Sequence, residues 1–299
     1  MRAAELALVL LLTGGTALRR VALVTGGTRG IGRGIAEALA SQDFDLLLTY
    51  NSDSAAAEQT ASELAAAHGC VVECVGGDVS QAATRDAIFA KYDEAFGATH
   101  ELGAVVHNAG QYVGVTSSNA EGIEAPAPLG FGDGSLLGDD GAPDFGVMHY
   151  YQRMYGDAFV DVCERGLRRM GDSGGSLVGI SSPGCTQQYK ANLGYDMPGS
   201  GKCVMEYAMR LFALRAAAKN VNCNVVVPGV TTSDAWGKLA EKRGVDVDEM
   251  VAGIASRIAP MGSMPPRAVG DGVAFLCSPQ GRAVTGVSLP VDNGCHLKT

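Results

Sequence analysis

Three glycines open the chemical reading of this sequence. Gly26, Gly30 and Gly32 lie in the run Thr25-Gly26-Gly27-Thr28-Arg29-Gly30-Ile31-Gly32. A tight turn, an unobstructed backbone and close helix–sheet packing each favour the loss of a side chain. A glycine cluster alone is a weak signal, because flexible turns are common. Here the apolar run Val21–Val24 precedes it, and Ile31, Ile35 and Leu39 follow at helical spacing. The turn therefore joins a buried strand to an amphipathic helix, whose N-terminus offers unpaired N–H groups and the positive end of a dipole. That arrangement suits a dinucleotide whose pyrophosphate sits on Gly26, Gly30 and Gly32, with Thr28, Arg29 and Ile31 as further cofactor-binding residues of the same turn.

The elements that would position this turn recur along the chain. Further strands are expected at 44–49, 71–75, 104–107, 176–180, 224–227 and 287–290, and helices at 55–68, 81–96, 151–170, 202–219 and 268–277. This alternation implies parallel crossovers and predicts an α/β chain: a Rossmann-like, doubly wound, mainly parallel sheet with helices on both faces. Leu211, Leu214 and Ala218 give the helix at 202–219 its apolar stripe. Residues 111–148 are rich in Gly, Asp, Ala, Pro and Ser, with Pro126, Pro128 and Pro143 opposing one long helix, so they read as an insertion. Residues 231–262 are expected to form the mobile side of a substrate pocket. Trp236, Leu239, Met250 and Ile254 suit an apolar substrate there, but their helical spacing suits core packing at least as well.

Composition narrows the alternatives. The chain has 299 residues and a formal net charge of -9, which argues against the clustered Lys and Arg that nucleic acid needs. The 8 cysteines include no CxxC pair and read as ordinary thiols in a long chain, and the 5 histidines have no metal-ligand spacing, so no metal is expected. One domain over residues 21–299 is the expectation, with 1–20 as an N-terminal extension or targeting-like segment. The apolar run Leu6–Leu12 is too short to span a membrane, and no integral membrane segment is expected. Localisation is left between the cytoplasm and an organelle lumen after N-terminal processing.

Together the ordered motifs resemble the short-chain dehydrogenase/reductase family over about residues 20 to 295, part of 111–148 excepted. Thr25-Gly26-x-x-x-Gly30-x-Gly32 is similar to that family's cofactor turn. Asn108-Ala109-Gly110 resembles its Asn-Ala-Gly element, with His107 in place of the more frequent Asn, and Asp78-Val79 its adenine-contacting position. Pro228-Gly229 and Val291-Asp292-Asn293-Gly294 also fit. Ser233 matches a threonine that meets the nicotinamide carboxamide, with Thr232 adjacent, although both residues suit a helix cap equally. The resemblance implies a homodimer or homotetramer.

It further implies Ser182, Tyr195 and Lys202 as catalytic residues, with Tyr195 and Lys202 also touching the cofactor. Tyr195 stands thirteen positions after Ser182, a separation common in the family. Lys202 stands seven after Tyr195 instead of the usual four, an arrangement similar to enoyl-thioester reductases, although Pro198 occupies the place of their frequent methionine. Tyr189 is a reserve proton donor. The asparagine that often organises a water chain is missing, and Tyr155 falls near its place. The cofactor expected is NADP(H): Tyr50-Asn51-Ser52 ends the second strand without the acid that an NAD enzyme uses, and Arg29 can meet an added ribose phosphate.

In this chemistry, negative charge develops on a substrate oxygen as hydride arrives. A tyrosine with an ordinary pKa of about 10 can donate to it when an ammonium stabilises the tyrosinate. Ser182 would orient the oxygen. Three functions fit: reduction of an α,β-unsaturated acyl thioester on a protein carrier or coenzyme A, as in fatty acid metabolism; reduction of a ketone or 3-oxoacyl thioester; or nucleotide binding without turnover.

Overall fold

The computed structural model describes residues 18–110, 142, 145–183, 185, 196–233, 236–237, 240–241 and 244–298. Seven strands form one parallel sheet: β1 (Arg19–Thr25), β2 (Phe44–Tyr50), β3 (Val72–Gly76), β4 (His100–His107), β5 (Gly175–Ile180), β6 (Val221–Pro228) and β7 (Ser288–Val291). Their order is β3-β2-β1-β4-β5-β6-β7. The order reverses between β1 and β4, which opens a crevice at the strands' carboxyl ends. This is the Rossmann-like architecture expected.

Alternation along β1 builds the two cores. Val21 and Leu23 face one side with Ile88, Phe89, Phe159 and Met205. Ala22 and Val24 face the other with Ile35, Leu39, Val269 and Val273. The first side carries α3 (Ala82–Ala95), α4 (Gly146–Tyr151), α5 (Ala158–Arg169) and α6 (Asp196–Ala216). The second carries α1 (Gly30–Ala40) and α8 (Pro266–Cys277), which pack so closely that a Cβ on Gly34 would strike Pro266. Between them in the chain, α2 (Ser54–His68) follows β2, and α7 (Val247–Ile258) follows β6.

Several boundaries differ from expectation for physical reasons. β1 begins at Arg19, within the stretch assigned to an extension, because Arg19 pairs with the buried Asp45 at 3.0 Å and Arg20 donates to the Gly103 carbonyl at 3.1 Å. β4 extends back to His100, whose ring meets Asp45 at 2.9 Å. Helix begins at Gly146, inside the supposed insertion, and passes through a π-helical turn at Gln152–Asp157 before α5. The stripe read on α6 was also wrong. Met205, Met209, Phe212 and Ala216 turn inward, while Leu211 and Leu214 are 51% and 80% exposed. Among the described residues, no helix is long and apolar enough to cross a membrane, and no His, Cys, Asp or Glu group could hold a metal ion.

Candidate active site

The glycine turn and the Asn-Ala-Gly element are bound into one cradle at the carboxyl ends of β1 and β4. Thr25 Oγ1 accepts from the backbone N–H groups of Asn108 and Ala109, both at 3.0 Å. Its hydrogen is then left for His107 Nδ1 at 3.0 Å, so Nε2–H donates to the Met154 carbonyl at 3.0 Å. Burial lowers the His107 pKa to about 4 and keeps the ring neutral in this tautomer. Asn108 Nδ2 reaches back to the carbonyls of Thr25 and Gly26, each at 3.1 Å. Gly26 has a φ of +63°, and a Cβ on Gly32 would collide with the Gly26 carbonyl oxygen. The bare backbone opening onto the N-terminus of α1 fits a pyrophosphate.

The predicted cofactor residues divide over this surface. Thr28, Arg29, Gly30, Thr232 and Ser233 line one groove of about 470 Å³ with Arg33, Gln59 and Arg267. Arg33 is tied to Glu63 at 2.7 Å and Arg267 to Asp271 at 2.7 Å. Arg29 is exposed; its carbonyl accepts from Arg33 N at 3.1 Å, and among the described residues its guanidinium has no hydrogen-bond or ion-pair partner. Ile31 instead leans on the core behind the turn. Tyr50 is half-buried at the end of β2, against the bare face of Gly76, and Asn51 and Ser52 are exposed beyond it. Asp78 accepts from Ser80 N at 2.9 Å. Val79 packs its side chain into the core, which leaves only its backbone for a ligand. Gly229 lies against Asp292, close enough to exclude any Cβ, and follows the buried Pro228. Gly110 lies on Tyr155 in the same way.

Lys202 forms the floor of the crevice beyond β5. It is 7% exposed, and its Nζ donates to the carbonyls of Ile180 at 3.0 Å and Ser181 at 3.3 Å. The ammonium also stands over the Tyr155 ring, 4.5 Å from its centroid. Burial lowers its pKa to about 8, against the raising effects of Cys185 and Glu206. Ser182 is half-buried at the exit of β5. Tyr195 and the reserve Tyr189 lie outside the described residues, as does Leu239. Four residues before Lys202 stands Pro198, buried in the first turn of α6 and without a proton to give. Trp236 and Ile254 pack against the core, as their helical spacing allowed.

Comparison with known proteins agrees with this frame. Residues 153–296 match the family described as "Enoyl-(Acyl carrier protein) reductase", and residues 20–125 match "short chain dehydrogenase". The chain belongs to the short-chain dehydrogenase/reductase family. Among its relatives is 1-cyclohexenylcarbonyl-CoA reductase of Streptomyces collinus, 27% identical over 93% of this chain and 88% of that protein. Carbonyl reductase family member 4 of Danio rerio is 27% identical over 94% of this chain and 99% of its own length. The structure of L-sorbose reductase from Gluconobacter frateurii, complexed with NADPH and L-sorbose, superposes with a TM-score of 0.75 at 22% identity, covering 95% of this chain and 98% of that one.

Within this oxidoreductase family's frame, one side chain went unread. Glu206 is 6% exposed on α6, where it accepts from the hydroxyl of Ser181 and from that of Ser288 at 3.0 Å. It fastens the exit of β5, and with it the carbonyls that hold Lys202, to β7. Burial raises its pKa despite these donors. No local signal marks it: a single Glu in a helix reads as solvated, and its partners lie far off in sequence.

Proposed function

We propose that this protein is an NADPH-dependent reductase of α,β-unsaturated acyl thioesters. The observation that carries the reading is the buried Lys202 with Pro198 four residues ahead of it. A proline cannot be the proton donor, so the donor must come from elsewhere, and Tyr195, seven positions before the lysine, is the phenol that the enoyl-reductase pattern supplies. The family description matched by residues 153–296 and the name of the Streptomyces relative support the same choice.

When bound, NADPH supplies a hydride from its nicotinamide ring. The cradle of Gly26, Gly30 and Gly32 would hold the pyrophosphate, with Arg29 and Ser52 near the ribose phosphate and Asp78 near the adenine. Lys202 would hold the nicotinamide ribose and place a positive charge beside the Tyr195 phenol. For an enoyl thioester the oxygen to be stabilised is that of the thioester enolate, and Tyr195 donates to it while Ser182 orients it. For a ketone the same donors would act on the carbonyl oxygen. The carbonyl reductase relative keeps that second reading in view.

Val160, Val204, Tyr207, Leu211 and Leu214 are all at least 39% exposed on the adjoining α5 and α6. An apolar surface of this kind suits a second copy of the chain, giving a homodimer or a pair of homodimers.

A panel of matched enoyl and 3-oxoacyl thioesters with NADPH tests the assignment. Turnover of the enoyl members is expected. Activity confined to the oxo members would overturn it in favour of a ketone reductase, and tight NADPH binding with no turnover would favour a catalytically quiet protein.

A further inference from the structure

Two of the cysteines differ from the rest. Cys70, Cys163, Cys223, Cys277 and Cys295 are buried and Cys74 is half-buried. Burial pushes all six of these thiols up, which keeps them protonated and slow to react. Cys185 lies just beyond β5, three residues after Ser182, and Cys203 lies in the second turn of α6, next to Lys202. Cys203 is exposed, and its thiol donates to the Cys185 carbonyl at 3.3 Å.

We propose that Cys185 and Cys203 are a modification site: a dithiol that peroxide oxidises reversibly to a disulfide. The Cys203 thiol seated on the Cys185 backbone, in a chain whose other thiols are shielded, carries this inference, and it stands apart from the reductase reading. Cys203 is the nucleophile because it is the exposed member. The neighbouring Cys185 holds its pKa below the ordinary thiol value, at about 7. Cys185 is raised by its neighbour Cys203 and by burial, although Lys202 favours its ionisation.

The chemistry balances with hydrogen peroxide as oxidant. The Cys203 thiolate attacks one peroxide oxygen, the O–O bond breaks, and the other oxygen leaves as water after taking up a proton. The product is a sulfenic acid. The Cys185 thiol then attacks that sulfur, the S–S bond forms, the S–O bond breaks, and a second water leaves. Two thiols lose two electrons and two protons; one peroxide becomes two waters. An external dithiol reverses the step by exchange.

The test treats the full chain with a few equivalents of hydrogen peroxide, blocks remaining thiols with an alkylating reagent, and maps unreduced peptides by mass spectrometry. A peptide pair joined through Cys185 and Cys203 is expected, forming roughly tenfold faster than any other thiol is lost. Dithiothreitol should restore both thiols. In Cys185→Ser, Cys203 should instead be trapped as a sulfenic acid by dimedone, and Cys203→Ser should leave Cys185 unoxidised. The proposal is overturned if wild-type Cys203 stays reduced while other thiols react, if it passes to sulfinic acid without cross-linking, or if it joins only to Cys203 of a second copy.

Discussion

The ammonium of Lys202 stands 4.5 Å above the ring of Tyr155, and that ring is stacked on Tyr151 at a centroid distance of 5.8 Å. An aromatic face thus occupies ground where the family resemblance led us to look for an asparagine and its water. Two backbone carbonyls and the negative face of a ring replace bulk water around the charge.

The pH profile should report this environment. The Lys202 pKa is about 8, below the ordinary lysine value, so the ammonium is present below that pH and is lost as pH rises through it. The kcat/KM for reduction is therefore expected to fall above about pH 8, and Lys202→Met to lose nearly all activity at every pH. Tyr155→Phe keeps the ring and should keep the limb. Tyr155→Leu removes the π face but leaves Glu206 and Cys185, the other groups acting on the ammonium, and should move the limb down by about one unit. An unmoved limb in Tyr155→Leu would show that the ring does not stabilise the charge.

His107 predicts a loss of stability in acid. Its folded pKa of about 4 lies below the ordinary value of 6.5, so between those values the unfolded chain binds the extra proton. Stability is unaffected above pH 6.5 and falls as pH drops toward 4, by about 2 kcal/mol at pH 5 from this residue alone. His107→Asn keeps an acceptor for Thr25 at the Nδ1 position and does not titrate, although its shorter amide no longer reaches the Met154 carbonyl. Urea midpoints measured at pH 7 and pH 5 should therefore converge in the variant relative to wild type.

How far the sequence could be read follows from where each signal lies. The β1–turn–α1 unit was legible because an apolar run, three glycines and a helical repeat are all local. Lys202 was singled out by its spacing of seven from Tyr195 where the family usually has four, and what the sequence did not tell was its burial over two strand-end carbonyls. The inward face of α6 was misread because Leu211 and Leu214 are as apolar as Met209 and Phe212; which set turns inward depends on the sheet beneath them. Arg19 and His100 read as non-strand residues, and only the buried carboxylate of Asp45 explains them. Glu206 was invisible for the same reason. A polar residue satisfied by distant partners leaves no pattern in its own segment.

Arg29 should set the choice of nucleotide. It is exposed at the mouth of the glycine turn, while Arg33 and Arg267 are already engaged by carboxylates. A charge-assisted bond to a ribose phosphate contributes roughly 1.5–3 kcal/mol, so Arg29→Ala should raise the Kd for NADPH by about 10- to 100-fold. NADH, which lacks that phosphate, should bind the variant as it binds wild type. Equal weakening of both nucleotides in titration calorimetry would assign Arg29 to the pyrophosphate turn instead.

The exposed face of α6 should set the oligomeric state. Leu214 is 80% exposed and Leu211 51%, one turn apart on a helix whose other side is packed on the sheet. Leaving both in water forgoes roughly 1.5–3 kcal/mol for each side chain that a partner could cover. Leu211→Asp with Leu214→Asp removes that gain and sets like charges against their copies across a two-fold axis. Neither side chain supports the monomer's core, so the variant should remain folded by circular dichroism. Sedimentation should then give a species of about half the wild-type mass or less at micromolar concentration. A variant that sediments with wild type would place the interface on another face of the molecule.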